Sequence, residues 1–248
     1  MQESHNPYTP PAPQLEAADR SDSQVPAASG LVGPYGRYCK NSLLGKILVF
    51  LLVLEVICNG LDLGIQNFNV RNLPFDQYSL DQIEILRGFL LGSFAFYAML
   101  FLALIATMLL FCLWTYRCSK NAWLFAKYRT GTRLSFTPHW SVGWYFIPIA
   151  FFWKPFLAMR EIRQESQSTR TGKSPVVGLW WAFWLTDFAT SCLFSFHDAP
   201  SYKLSLVSAF ISTGLCIFTI LLIRQINHLQ VETHLKLEKW SREPFQRN

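Results

Sequence analysis

The chain has 248 residues, 51% of them apolar and 16% aromatic, with only 15% charged and a formal net charge of +6. A soluble domain carries about 25% charged residues, so a soluble reading fails, and the same balance excludes a disordered chain, a disulfide scaffold and a simple nucleic-acid binder. Long apolar runs fill the place of the missing charge, and they identify a multi-pass membrane protein.

Residues 1–38 open the chain. Six of its 13 prolines lie here (Pro7, Pro10, Pro11, Pro13, Pro26 and Pro34), among Ser, Ala and Gln. Such a stretch cannot bury enough apolar surface to offset ordering entropy, and it reads as a disordered Pro-rich tail. The first apolar run begins near Leu43 with no small-residue cleavage site close behind it. It is therefore expected to act as an uncleaved insertion signal rather than a signal peptide. A membrane domain over 39–225 follows, with spans at about 43–65, 89–114, 177–197 and 204–223. The run from Phe89 to Trp114 has no charge. At about 1.5 Å per residue it exceeds a hydrocarbon core of about 30 Å, so it tilts or protrudes. Ser174-Pro175 suits the N-cap and first position of the third span.

The apolar stretch around 142–153 is too short to span. Pro138, Pro148 and Pro155 punctuate it, and proline starts a helix but breaks one already running. Short helices are expected at about 138–147 and 155–166, with 138–157 forming a re-entrant or interfacial segment. Residues 226–248 read as a cytosolic amphipathic tail, with Ile226, Leu229, Leu237 and Trp240 at rough helical spacing and Thr233 interrupting the stripe. The six cysteines form no CxxC pair, and four of them fall in apolar runs, where cysteine behaves as a small hydrophobe.

Charge decides the expected threading. With four spans and both termini inside, only Arg71, Arg87 and Lys203 of the 22 Lys and Arg lie outside. If 142–153 crossed, dense basic segments would face both sides, so the positive-inside rule favours four spans with cytoplasmic termini. All nine tryptophans (Trp114, Trp123, Trp140, Trp144, Trp153, Trp180, Trp181, Trp184 and Trp240) then fall toward the cytoplasmic side. A one-sided aromatic and basic layer suits lipid anchoring or the docking of an anionic head group or partner protein. The fold expected is all-α: an integral membrane four-helix bundle with a short re-entrant or interfacial helical segment on the cytoplasmic side.

Four groups of residues carry a family resemblance. They are Trp114-x-x-Arg117-x-x-x-Asn121, Thr137-Pro138-x-Trp140-x-Val142-Gly143-Trp144-x-x-x-Pro148, Trp153-Lys154-Pro155 followed by Met159-Arg160-Glu161, and Trp180-Trp181. Over about residues 90–225 the chain resembles the bacterial membrane-protein family catalogued as domain of unknown function 4328. Phe151 stands where that family commonly has Asn, and Arg163 where it commonly has Trp. The resemblance implies a multi-pass protein of the bacterial inner membrane and implies no activity.

Two sets of side chains are candidates for function. Glu55, Asn59 and Asp62 lie at i, i+4 and i+7 on one helix face, and Asp187 lies about midway along the third span. Intramembrane carboxylates are costly and mark functional sites by default. A proton or cation site between the first and third spans competes here with plain hydrogen bonding to Thr186, Thr190, Ser208 or Ser212. The second set faces lipid or a partner: Trp114, Arg117, Asn121, Trp140, Trp144, Pro148, Trp153, Lys154, Pro155 and Glu161. Within it, Asn121 is expected to support the broken backbone near Pro148, and Glu161 to sit on a solvated helix face. No metal-ligand spacing, phosphate loop or nucleophile elbow is present, and neither a metal nor another cofactor is expected. The leading functional expectation is a non-catalytic regulatory or scaffolding module that presents its Trp/Pro/basic layer to inner-leaflet lipids or a partner. A small proton- or cation-coupled transporter or channel is the alternative, and a lipid-acting membrane enzyme the weaker one.

Overall fold

The computed structural model describes residues 31–72, 80–129, 131, 133–167, 174–195 and 202–242. Among them lie a hairpin of two two-residue strands, β1 (Val32–Gly33) with β2 (Gly36–Arg37), and six helices: α1 (Ser42–Asn72), α2 (Leu80–Arg129), α3 (Pro138–Gly143), α4 (Lys154–Ser166), α5 (Val176–Ser195) and α6 (Tyr202–Arg242). Helices α1, α2, α5 and α6 are long and apolar enough to cross a membrane. The protein is an all-α membrane bundle, with α6 packed on both α1 and α5 and α2 packed on α1.

The spanning helices are apolar nearly all round, so only packing decides which side faces in. On α1, Leu44, Leu48 and Leu52 recur every fourth residue and are buried. Leu43, Ile47, Phe50, Ile57 and Leu61 of the same helix are exposed and are left for lipid tails. Small residues let α5 and α6 approach closely. A Cβ added at Gly214 of α6 would fall 2.3 Å from the Phe183 ring of α5.

Helix α2 has 50 residues, which at about 1.5 Å each reaches far beyond a bilayer core of about 30 Å. Its two halves differ. Residues 91–113 are mostly exposed, whereas Trp114, Cys118, Ser119, Asn121, Ala122, Leu124, Phe125 and Ala126 are buried. The dense core therefore sits at the end of the bundle that carries the hairpin, α3, α4, the start of α1 and the end of α6. Arg117, Lys120, Lys127, Arg129, Lys154, Arg160 and Arg224 cluster here, so it is called the basic end below.

Two boundaries differ from the sequence expectation. Residues 31–38, assigned to the Pro-rich tail, form the hairpin, which packs along α2 and places Tyr38 beside Phe125. Tyr128 Oη lies 3.2 Å from Val32 N. Residues 1–30, the rest of that tail, lie outside the described residues. Residues 226–242 do not form a separate amphipathic tail. They continue α6, a 41-residue helix, and bury Ile226, Gln230, Thr233 and Leu237 against the bundle. Thr233 belongs to that buried face rather than interrupting it, and Trp240 is 65% exposed.

Candidate functional site

The segment between α2 and α5 is built as the prolines dictate. Thr137 caps α3, its Oγ1 accepting from Trp140 N at 3.4 Å, and Pro138 occupies the first turn. Two single-turn 3₁₀ helices follow, Trp144–Phe146 and Ala150–Phe152. Between them the chain turns at Pro148, and Ile149 adopts φ 69°. A β-branched residue there is a genuine outlier, costing about 1–3 kcal/mol. Ile149 is also 71% exposed. Phe146, Phe152, Trp153 and Trp140 are exposed beside it. The segment is tied down from behind. Trp181 Nε1 of α5 donates to Phe152 O at 3.2 Å. Lys154 Nζ lies 5.4 Å from the Trp144 ring centroid and 5.6 Å from that of Phe136, and Trp140 packs on Trp144 at 4.7 Å.

The same end of the bundle holds a buried polar network. Asn121 Nδ2 donates to Cys39 O at 2.9 Å and to Gln230 Oε1 at 2.8 Å, and its Oδ1 accepts from Cys39 N at 2.8 Å. Gln230 Nε2 donates to Cys118 O at 3.0 Å and to Ser166 Oγ at 3.1 Å. Thr233 Oγ1 donates to Ser166 O at 2.8 Å. One side chain from α2 and two from α6 thus join the start of α1 to the end of α4. Buried amides worth this many bonds fix one arrangement of the helices, because any other leaves them unpaired. Burial also acts on the flanking groups. It pushes the Tyr38 phenol up to about 12, with the nearby Cys118 and Cys39 thiols adding to it. It raises Tyr145 and lowers Arg163 as well.

The residues expected to face lipid or a partner therefore divide. Trp140, Pro148 and Trp153 are exposed, while Arg117, Trp144 and Lys154 are half-buried. Trp114, Asn121 and Pro155 are buried in the bundle and belong to its packing. Trp114 Nε1 donates to Asn227 Oδ1 at 3.0 Å. Asn121 holds the start of α1, not the backbone near Pro148, because its whole amide is engaged on the opposite side of α2. Glu161 is half-buried and bonded to backbone. Its carboxylate accepts from Ser135 N at 2.7 Å and Phe136 N at 3.2 Å, closing the loop that leads into α3.

Glu55 and Asp62 lie on the seams of α1, and Asp187 on the seam of α5 and α6. Asp62 Oδ1 accepts from Tyr97 Oη of α2 at 2.6 Å. Asp187 Oδ1 accepts from Ser212 Oγ of α6 at 2.6 Å, whereas Thr186 and Thr190 bond their own helix backbone. Glu55 faces Cys216 Sγ at 4.0 Å, and its Oε1 is buried without a hydrogen-bond partner. Glu55 of α1 and Asp187 of α5 thus both meet α6, at Cys216 and Ser212, one turn apart on that helix. Toward the opposite end of the bundle, Asn59, Asp62, Ser191, Ser205, Ser208 and Ser212 line a cavity of about 310 Å³. No ion pair engages Glu55 or Asp187, and no group of three His, Cys, Asp or Glu is placed to hold a metal, among the described residues.

Sequence reasoning missed Asn41, Gln230, Thr233 and Asn227. For Gln230 and Thr233 the signal is present: Ile226, Gln230, Thr233 and Leu237 recur at i, i+4, i+7 and i+11, one helix face. It was hidden because a hydrophobic stripe is sought, and two of the four are polar.

No curated protein and no solved structure matches the chain. Residues 83–228 match a family described as a domain of unknown function (DUF4328). That is more than half of the sequence, it takes in α2 through most of α6, and the chain belongs to that family.

Proposed function

We propose that the protein is a non-catalytic regulatory or scaffolding module of the bacterial cell membrane. Both termini are cytoplasmic in this reading. The 138–157 segment seats in the inner leaflet, and the surrounding basic layer receives anionic lipids or a partner protein. One observation carries it: Ile149 is exposed in a backbone conformation that favours glycine. Neither local backbone preference nor water selects isoleucine there, whereas a hydrocarbon boundary does. Full burial of such a side chain is worth about 1.5–3 kcal/mol, comparable to the strain. The lysine and arginine distribution supports the sidedness.

Two labels test it in a cysteine-free background. A nitroxide at Ile149→Cys is expected to meet oxygen, partitioned into the bilayer, more readily than a water-soluble nickel chelate. A membrane-impermeant maleimide should fail to reach Gln164→Cys from outside intact cells. A water-accessible Ile149 label, or external labelling at position 164, overturns the reading.

The hydroxyl-lined cavity and the meeting of Glu55 and Asp187 with α6 favour a second reading, proton- or cation-coupled transport. Glu55→Gln with Asp187→Asn would then abolish flux in proteoliposomes while leaving membrane insertion intact. Unchanged flux, or none in the unsubstituted protein under a proton or sodium gradient, rules it out.

A further inference from the structure

A groove of about 530 Å³ runs along the seam of α1 and α6 at the basic end. It lies away from the Trp/Pro segment. Its rim carries Lys46, Arg224 and His228, all exposed, and no carboxylate contributes to its lining. The first turn of α1 borders it through Ser42 and Gly45, so the positive end of that helix dipole adds to the two cations. The volume falls in the range of about 300–1,000 Å³ usual for small-ligand sites.

The floor is specialised. A Cβ on Gly45 would lie 2.2 Å from Asn227 Nδ2, so glycine is what lets the Asn227 amide lie against α1. The same amide accepts from Trp114 Nε1 through Oδ1, which fixes its NH₂ toward Gly45. Asn41 in the wall is 3% exposed, and its Nδ2 donates to Cys118 Sγ at 3.3 Å, which ties the floor to α2. Below the cations the lining turns apolar at Val49 and Ile223. The adjoining outer faces, Ile47 and Phe50 of α1 and Leu221 of α6, are exposed. Cations above and apolar surface below match the two ends of a phospholipid.

We propose that this seam binds one anionic glycerophospholipid, of which phosphatidylglycerol is the probe. Lys46 and Arg224 hold the phosphodiester, and the acyl chains run down the outer faces of α1 and α6. The proposal rests on the inner-leaflet reading only for which leaflet supplies the lipid, since the groove and the 138–157 segment share no residue.

Native mass spectrometry of the full chain, released from mixed phosphatidylglycerol and phosphatidylcholine nanodiscs, tests it. One phosphatidylglycerol should be retained, at least about tenfold over phosphatidylcholine. The double variant Lys46→Gln/Arg224→Gln alters two exposed side chains and spares the core, and it should lose that lipid about tenfold. Gly45→Ala keeps both cations and should weaken retention by displacing Asn227. Equal retention of the two lipids, or full retention by the double variant, overturns the proposal. So does displacement by millimolar glycerol 3-phosphate, which would mark a site for a soluble phosphate. The Ile149 nitroxide, read in the same double variant, separates the two readings. A bilayer-facing label with no retained lipid refutes only the seam site, and a water-facing label with retained lipid refutes only the interfacial segment.

Discussion

Replacing Asn121 by alanine removes three hydrogen bonds at once: two to the backbone of Cys39, at 2.8 and 2.9 Å, and one to Gln230, at 2.8 Å. Asn121 is 1% exposed, as is Gln230, so water cannot take its place without opening the core. Each bond nets about 1 kcal/mol, and a buried partner left unsatisfied costs about 1–3 kcal/mol. The Cys39 groups lie nearer the surface and recover part of that, so a total loss of about 3–5 kcal/mol is expected. For 150–250 residues each kcal/mol shifts Tm by about 2–4 °C, which places the variant roughly 6–20 °C below the parent in the same detergent. Thermal unfolding followed by tryptophan fluorescence measures this. Gln230→Ala removes a shared partner, so the double variant should lose less than the sum of the singles by about 0.5–3 kcal/mol. A Tm within about 2 °C of the parent, or strict additivity, would show that the amide network does not hold α1 to α2 and α6.

Other perturbations probe separate joints. Glu161→Gln leaves only one carbonyl oxygen for the two backbone donors at Ser135 and Phe136. Limited proteolysis should therefore cut the segment before α3 several-fold faster, and an unchanged rate would mean that the carboxylate does not hold it. Gly214→Leu inserts a side chain where even a Cβ meets the Phe183 ring at 2.3 Å. It should lower Tm by an amount equivalent to about 1–3 kcal/mol of overpacking, and Phe183→Ala should relieve it. The Tyr38 phenol, pushed up to about 12 by burial and the flanking thiols, remains neutral through pH 10, where an unfolded tyrosine ionises. Its contribution to stability is complete below about pH 10 and is lost as pH rises toward 12. Tyr38→Phe should flatten that alkaline decline in unfolding profiles. An equally steep decline in the variant would remove Tyr38 as its cause.

The spans were legible because composition and length alone identify them. A charge-free run such as Phe89–Trp114 has few alternatives to a membrane. The breaks at Pro138, Pro148 and Pro155 were legible too, since proline acts on its own backbone wherever it stands. Lateral packing was not. Leu44 and Leu43 are chemically identical, yet one is buried and the other faces lipid. In a bilayer both environments are apolar, so hydropathy carries no information about which is which. Helix ends were misplaced for the same reason. Residues 226–242 fall in hydropathy while continuing α6, because there the helix packs on protein.

That contrast explains what the sequence conceals about the site. Inside a bilayer, apolar contact does little to choose between helix arrangements, because lipid tails satisfy a leucine as well as another leucine does. At the basic end the core is dense, and there apolar packing on protein and buried hydrogen bonds both act. Trp114, Phe125, Met159 and Ile226 collect in that core, and Asn41, Asn121, Gln230 and Thr233 lie among them. Asn121 thus ties the backbone just before α1 to α2 and α6 at this end. The seam groove with Lys46 and Arg224 and the carboxylate line through Glu55 and Asp187 lie on helices held in this way. An exposed Lys46 on α1 and a buried Asn121 on α2 differ in role although both stand at the same end of the bundle. Substituting the first should change what the seam binds, whereas substituting the second should change whether there is a seam.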